Sequence, residues 1–95
     1  MENIILKVSG KPNLSFHGVL VAEARNAAKG LTKRVFETAK GHWMIAEIDD
    51  NDILFNYIVI DNKSTEELVK KLGFDSVAKS IYSQLKIDTT DKLDI

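Results

Sequence analysis

Apolar and polar residues alternate along the first two-thirds of the chain, and this period of two is typical of β-strands. The alternation predicts five strands within residues 3–60, at positions 4–8, 14–22, 32–38, 42–48 and 53–60. Turn segments rich in Gly, Asn and Asp separate most of these strands, at positions 10–13, 38–41 and 49–52. Strands joined by such short connections favour an antiparallel meander.

The segment between the second and third strands, residues 23–30, has a mixed pattern. Its alanines favour a helix, but Gly30 would end that helix after about two turns. We therefore expect a loop there, holding at most one helical turn.

The hydrophobic period changes to about 3.6 residues after position 64, which predicts helices. Ser64 and Glu67 have the spacing of a capping box, and Gly73 fits the position just past a helix end. Asp75 is expected to cap a second helix. The apolar stripe of that second helix repeats every four residues and consists of Val77, Ile81 and Leu85. The two helices are therefore predicted at about 65–86, followed by a tail at 87–95. Strands followed by helices predict a single α+β domain over 1–95, with both helices on one sheet face.

Composition excludes several classes of protein. The 95 residues are 44% apolar and 28% charged, as in an ordinary globular domain, and the absence of Cys excludes disulfides, thiolate zinc sites and cysteine nucleophiles. A net charge of −1 gives no overall attraction to nucleic acid or anionic lipid. Because the chain has neither a signal-peptide pattern nor an apolar run of about 20 residues, we expect a cytoplasmic protein without a membrane span.

Few residues offer catalytic or metal-binding chemistry. His17 and His42 are the two side chains that ordinarily titrate near neutral pH, and neither has further ligands at metal-site spacing. The acidic residues at 49–52 lack the spacing of an EF-hand, so we interpret them as a solvated hairpin turn. Gly-rich phosphate loops and serine-nucleophile motifs are absent from the sequence. We therefore predict no enzymatic activity, no catalytic residue, no cofactor and no metal; an enzyme that uses His17 or His42 is a third alternative.

Charge is divided unevenly between the two parts of the chain. Residues 1–42 carry seven Lys and Arg against three acids, and residues 43–95 carry six against eleven. Such a division can mark an electrostatic binding face that includes Arg34, although a charged outer side on each element would produce it as well. Stacking aromatic residues are not interleaved with the basic ones, so we do not expect nucleic acid as a partner.

The fifth strand is apolar on both of its sides, which suggests that both faces of the sheet are covered. Leu54, Ile58 and Ile60 form one side, together with Trp43 on the fourth strand. The other side of the fifth strand is formed by Ile53, Phe55, Tyr57 and Val59. Because two helices can cover only one face, a homodimer that pairs sheet faces is one way to cover the other.

The chain ends in Asp91-Lys92-Leu93-Asp94-Ile95. This ending resembles the signature of the bacterial EXLDI family, named for a closing Glu-x-Leu-Asp-Ile, with Asp91 in place of the Glu. Segments 16–21, 34–41 and 64–72 resemble the apolar strand, the arginine strand with its Lys-Gly turn, and the acidic helix of that family. The resemblance implies no established reaction, and therefore no catalytic residues.

An extended tail would place Leu93 and Ile95 on one side and Asp94 on the other. We predict that these apolar residues dock in a groove of the sheet, either in the same chain or in a dimer partner, with a carboxylate near Arg34; docking into an unrelated protein is the alternative. The candidate interaction residues are Arg34, Trp43, Leu93, Asp94 and Ile95.

The leading functional hypothesis is a non-catalytic, homodimeric module that binds a ligand or protein, with a regulatory role. The alternative is a small inhibitor or counter-defence protein that binds a larger macromolecular target.

Overall fold

A five-stranded antiparallel sheet is followed by two helices in the computed structural model, which describes residues 1–94. The strands are β1 (Glu2–Leu6), β2 (Leu14–Asn26), β3 (Leu31–Thr38), β4 (Trp43–Asp49) and β5 (Leu54–Ile60). A 3₁₀ turn (Asp61–Lys63) leads into α1 (Thr65–Leu72) and α2 (Ser76–Leu85). Each strand pairs with the next one in the chain, in the order β1-β2-β3-β4-β5. The predicted α+β meander with two C-terminal helices is confirmed.

The hairpin turns form where the polar segments predicted them. Between β3 and β4, the Gly41 N–H donates to the Thr38 carbonyl at 3.0 Å, and Gly41 has the positive φ of 83° that glycine adopts at low cost. Between β4 and β5, an Asp49 carboxylate oxygen accepts the N–H groups of Asn51 and Ile53 at 2.9 and 3.0 Å. This carboxylate therefore stabilises the turn through its own backbone, as Asp commonly does.

The loop predicted at residues 23–30 is wrong over its first half, because β2 continues to Asn26. The β2–β3 register shifts at Val21, which is the extra residue of a β-bulge. Pairing resumes beyond the bulge, with Glu23 opposite Arg34. Backbone pairing with β3 thus outweighs the helix propensity of the alanines, and the bulge interrupts the period-two pattern that would have revealed the longer strand.

The helix ends follow the predicted capping. The Ser64 hydroxyl accepts the Glu67 N–H at 3.3 Å, and an Asp75 carboxylate oxygen accepts the Ala78 N–H at 2.8 Å. Gly73 closes α1 with a φ of 74°, and its N–H donates to the Val69 carbonyl. These caps supply partners for N–H groups that a helix start leaves without intrahelical acceptors.

Both helices pack on one face of the sheet, which we call the helix face. Gln84 ties α2 to β2, because its side-chain amide accepts the Glu23 N–H at 2.9 Å and donates to the Glu23 carbonyl at 2.8 Å. The core on this face is formed by buried residues of both layers: Ala22, Val35, Trp43, Ile45, Ile60, Leu68, Leu72, Val77, Ala78, Ile81 and Tyr82.

The opposite face, which we call the inner face, is covered largely by the sheet itself. The sheet curls into a half-barrel, so that Lys7 forms a parallel bridge to Ile53 and its carbonyl accepts the Leu54 N–H at 2.8 Å. The curl brings residues of non-neighbouring strands into a second buried cluster, which consists of Leu6, Phe36, Met44, Ala46 and Ile48. Apolar residues on both faces of β4 are therefore buried within one chain.

Candidate binding groove

An apolar groove lies on the inner face, between the start of β2 and the end of β5. Its volume is about 500 Å³. The apolar side chains that line it are Leu14, Phe16, Met44, Tyr57 and Val59. These side chains share one face because the register places Tyr57 opposite Ala46 and Val59 opposite Met44, both of which belong to the inner cluster.

The floor of the groove is fixed by packing, while its outer wall is accessible. The rings of Phe16 and Phe36 meet edge to face, with centroids 5.3 Å apart, and Met44 is buried beside them. Tyr57 and Val59 stand on the edge strand β5 and remain 47% and 49% exposed. The groove therefore combines a rigid apolar base with an apolar wall that solvent reaches.

The polar side chains of the groove come from the start of β2 and from the connection between β3 and β4. They are Ser15, His17, Thr38, Lys40 and His42. The Thr38 hydroxyl accepts the backbone N–H of His42 at 3.1 Å, and Nδ1 of His42 accepts the Asn62 N–H at 3.0 Å. In that contact Nδ1 is the acceptor, which leaves Nε2 as the ring nitrogen that can donate. Lys40 is exposed and forms no ion pair with any other residue of the 1–94 segment.

Arg34, one of the candidate interaction residues, lies on the inner face outside this groove. It lines a second cavity of about 370 Å³ beside Leu6 and Phe36. Two carboxylates hold it there: Nε lies 3.5 Å from Glu23, and Nη1 lies 3.5 Å from Asp52. The Arg34 charge is thus partly neutralised within the chain.

The other candidate interaction residues do not assemble into one site. Trp43 is buried in the core of the helix face. Leu93 is 72% exposed in the tail and lines neither the groove nor the cavity beside Arg34, and Asp94 is exposed as well. Ile95 lies outside the described residues. Because Leu93 is exposed, it is not docked within its own chain, and docking of the tail in a dimer partner or in an unrelated protein stays a prediction.

The first residues of the tail have a local arrangement of their own. The Thr90 N–H donates to an Asp88 carboxylate oxygen at 2.9 Å, and this hydrogen bond lowers the pKa of Asp88. Lys92 lies 3.7 Å from the same carboxylate group. Both contacts are exposed, so they order the tail only weakly.

Ion pairs join the basic and acidic parts of the sequence. Besides the Arg34–Asp52 contact, Arg25 donates from Nη2 to both carboxylate oxygens of Asp50 at 2.9 and 2.8 Å. Lys63 donates to Glu37 at 3.1 Å. Because the acidic β4–β5 turn lies beside the arginines of β2 and β3, the division of charge along the sequence does not produce two oppositely charged halves in space.

The groove itself was not identified from the sequence, although part of its signal was present. The apolar character of both sides of β5 pointed to Tyr57 and Val59 as residues in need of cover. His17 and His42 attracted attention only as titratable groups, and nothing in the sequence indicated that β2 and the turn before β4 bring them to one groove.

No protein-family model matches the chain, and no curated protein or solved structure matches it either. The resemblance to the EXLDI family therefore stays a prediction. Within residues 1–94, no group of three or more His, Asp or Glu side chains is placed to hold a metal ion. The helices in this part of the chain are all too short to cross a membrane.

Proposed function

We propose that this protein is a non-catalytic binding module and that the inner-face groove holds an amphipathic ligand with an apolar body and an anionic group. The observation that carries the proposal is the exposed apolar wall formed by Tyr57 and Val59, in the same groove as Lys40, which forms no ion pair within residues 1–94. An apolar lining with a few polar groups is the usual composition of a small-ligand site.

The size and position of the groove support this class of ligand. A volume of about 500 Å³ falls within the range of roughly 300–1,000 Å³ that is common for small-molecule sites. The mouths of curled sheets are frequent ligand sites, because the inner side chains converge there. Lys40 would attract the anionic group, while the apolar body would lie along Val59 and Met44.

The non-catalytic part of the proposal is supported by the contacts of His42. Nδ1 of His42 is occupied by the Asn62 N–H, and the nearest oxygen of Asp61 is 3.9 Å away, beyond hydrogen-bond distance. A general base needs a nitrogen within hydrogen-bond reach of the proton that it removes. The His42 ring is arranged to hold the 3₁₀ turn rather than to transfer protons through Nδ1.

Fluorescent probes test the proposal. We expect anilinonaphthalene sulfonate, which is anionic, and Nile red, which is neutral, to bind saturably and to gain fluorescence. Tyr57→Asp should weaken both probes at least tenfold, because it places a charge in the apolar wall. Lys40→Glu should weaken the anionic probe alone, since it reverses a charge in the groove and leaves the apolar wall unchanged.

The matched control is Leu93→Ser, which removes an exposed apolar side chain outside the groove. Unchanged binding of both probes in Tyr57→Asp, with its far-UV circular dichroism intact, would place the probes elsewhere and overturn the proposal. Absence of saturable binding to the wild-type protein would do the same.

A further inference from the structure

Strand β5 has one unpaired edge. One edge pairs with β4, while among residues 1–94 the other, outer edge meets another strand only at the Lys7–Ile53 bridge and the adjoining Leu54 hydrogen bond. From Phe55 to Ile60, no described strand lies along this outer edge. Its outward backbone N–H and C=O groups are therefore available to another strand.

This edge lacks the features by which monomeric proteins protect an edge strand. Charged residues and proline usually serve that purpose, and residues 55–60 contain neither. The segment instead exposes three large apolar side chains, with Phe55 71% exposed beside the half-exposed Tyr57 and Val59. The other edge strand, β1, is shorter and has its end covered by the Lys7–Ile53 bridge.

We infer that the outer edge of β5 pairs antiparallel with the same edge of a second copy, which gives a twofold-symmetric dimer with a continuous ten-stranded sheet. In a pairing centred on Ile58, Tyr57 of each copy lies opposite Val59 of the other, so that an aromatic–β-branched pair forms twice. A charged edge would repel itself in such a pairing, whereas residues 55–60 carry no charge. The absence of charge favours an identical strand as the occupant.

The exposed area indicates how strong this dimer is. A fully exposed aromatic side chain offers roughly 200 Å², so Phe55, Tyr57 and Val59 together expose roughly 300 Å² in each copy. Even with the backbone of the edge added, the total falls below the 1,200–2,000 Å² that stable complexes commonly bury. The dimer is therefore expected to dissociate on dilution.

This arrangement differs from the face-to-face dimer that the sequence suggested. That expectation assumed that the second sheet face needs a partner. The curl of the sheet buries most of that face within one chain, and the outer edge of β5 stays accessible to a partner. The dimer inferred here does not depend on the ligand proposed for the groove.

Sedimentation velocity over a wide range of protein concentration tests the inference. The wild-type mass should rise from the 10.6 kDa of one chain toward twice that value. Val59→Lys and Asn56→Lys each introduce a charge on β5 and should stay at 10.6 kDa at every concentration. Asn56 does not line the groove, so Asn56→Lys should retain probe binding while it loses the dimer.

Ile5→Lys is the matched control, because Ile5 is an exposed apolar residue on the opposite edge strand. This variant should dimerise like the wild type. A wild-type protein that keeps the mass of one chain at the highest concentration overturns the inference, and so does a dimer that survives both β5 variants. Loss of the dimer in Ile5→Lys, or growth beyond twice the chain mass, would assign association to another edge.

Discussion

Tyr82 lies in the core of the helix face and makes one short hydrogen bond. Its side chain is buried, and its hydroxyl donates to the Gly73 carbonyl at 2.6 Å. Tyr82→Phe would leave that carbonyl without its partner, and we expect a loss of about 1–2 kcal/mol in the free energy of unfolding. Urea denaturation measures this loss. Tyr57→Phe, at an exposed position, is the control and should change stability little.

Ionisation of Tyr82 should make the free energy of unfolding depend on pH in the alkaline range. Burial raises the pKa of Tyr82, and the nearby Asp75 carboxylate raises it further. In the folded state the pKa of Tyr82 lies above the unfolded value of about 10. The stability that comes from keeping this hydroxyl protonated is therefore complete below pH ~10 and is lost as pH rises through the folded-state pKa. We expect the stability of the wild-type protein to fall more steeply above pH ~10 than that of Tyr82→Phe. Equal slopes for the two proteins would contradict this assignment.

Gly18 occupies a position where the backbone leaves no room for a side chain. A Cβ atom there would lie 2.7 Å from the Glu37 carbonyl oxygen and 3.0 Å from the Phe16 ring. Because a backbone carbonyl of the neighbouring strand cannot move aside easily, Gly18→Ala should cost about 1–3 kcal/mol. Thermal denaturation tests this expectation. Ser15→Ala, an exposed change on the same strand, should leave the midpoint nearly unchanged.

At the scale of elements, the stability of α2 depends on the N-cap of its first turn. The Asp75 carboxylate caps the helix by accepting the Ala78 N–H, and Val77, Ile81 and Tyr82 then pack on the sheet. Asp75→Ala should cost about 1 kcal/mol, the usual effect of losing an N-cap. Asp75→Asn keeps an acceptor at this position and should recover most of the loss. If the two variants are equally destabilised, the charge of Asp75 matters more than its hydrogen bond.

The elements were largely predictable because their signals are local. A cap, an apolar stripe and a closing glycine lie within a few residues of one another, so α1 and α2 could be located with their ends. The β3–β4 turn was equally local. The extension of β2 to Asn26 was missed because a bulge at Val21 shifts the alternation, and pairing with β3 is a property of two distant segments.

At the scale of the whole molecule, the sequence indicates which side chains share a face but not how far the sheet curls. Leu6 on β1 shares one buried cluster with Met44 and Ile48 on β4, although β1 and β4 are not neighbours in the sheet. No local pattern encodes such a cluster. The groove and the second core both follow from this curl, which explains why Tyr57 and Val59 could be identified as apolar residues but not as the wall of a site.

The curl also implies that the two cores unfold together. Strands β3 and β4 contribute residues to both cores, with Val35 and Ile45 on the helix face and Phe36 and Met44 on the inner face. Leu6→Ala removes a buried side chain from the inner core alone, and we expect a loss of about 2–4 kcal/mol. This is a large share of the 5–15 kcal/mol typical of a small domain.

Trp43, the single tryptophan, lies in the core of the helix face and reports on it by fluorescence. If the shared strands couple the cores, Leu6→Ala should shift the denaturation midpoints of Trp43 fluorescence and far-UV circular dichroism by the same amount. Ile5→Ala, at the neighbouring exposed position, should shift neither. A Trp43 midpoint that stays at the wild-type value, while circular dichroism reveals an earlier transition, would show that the inner core unfolds independently and that the curl of β1 is not part of one cooperative unit.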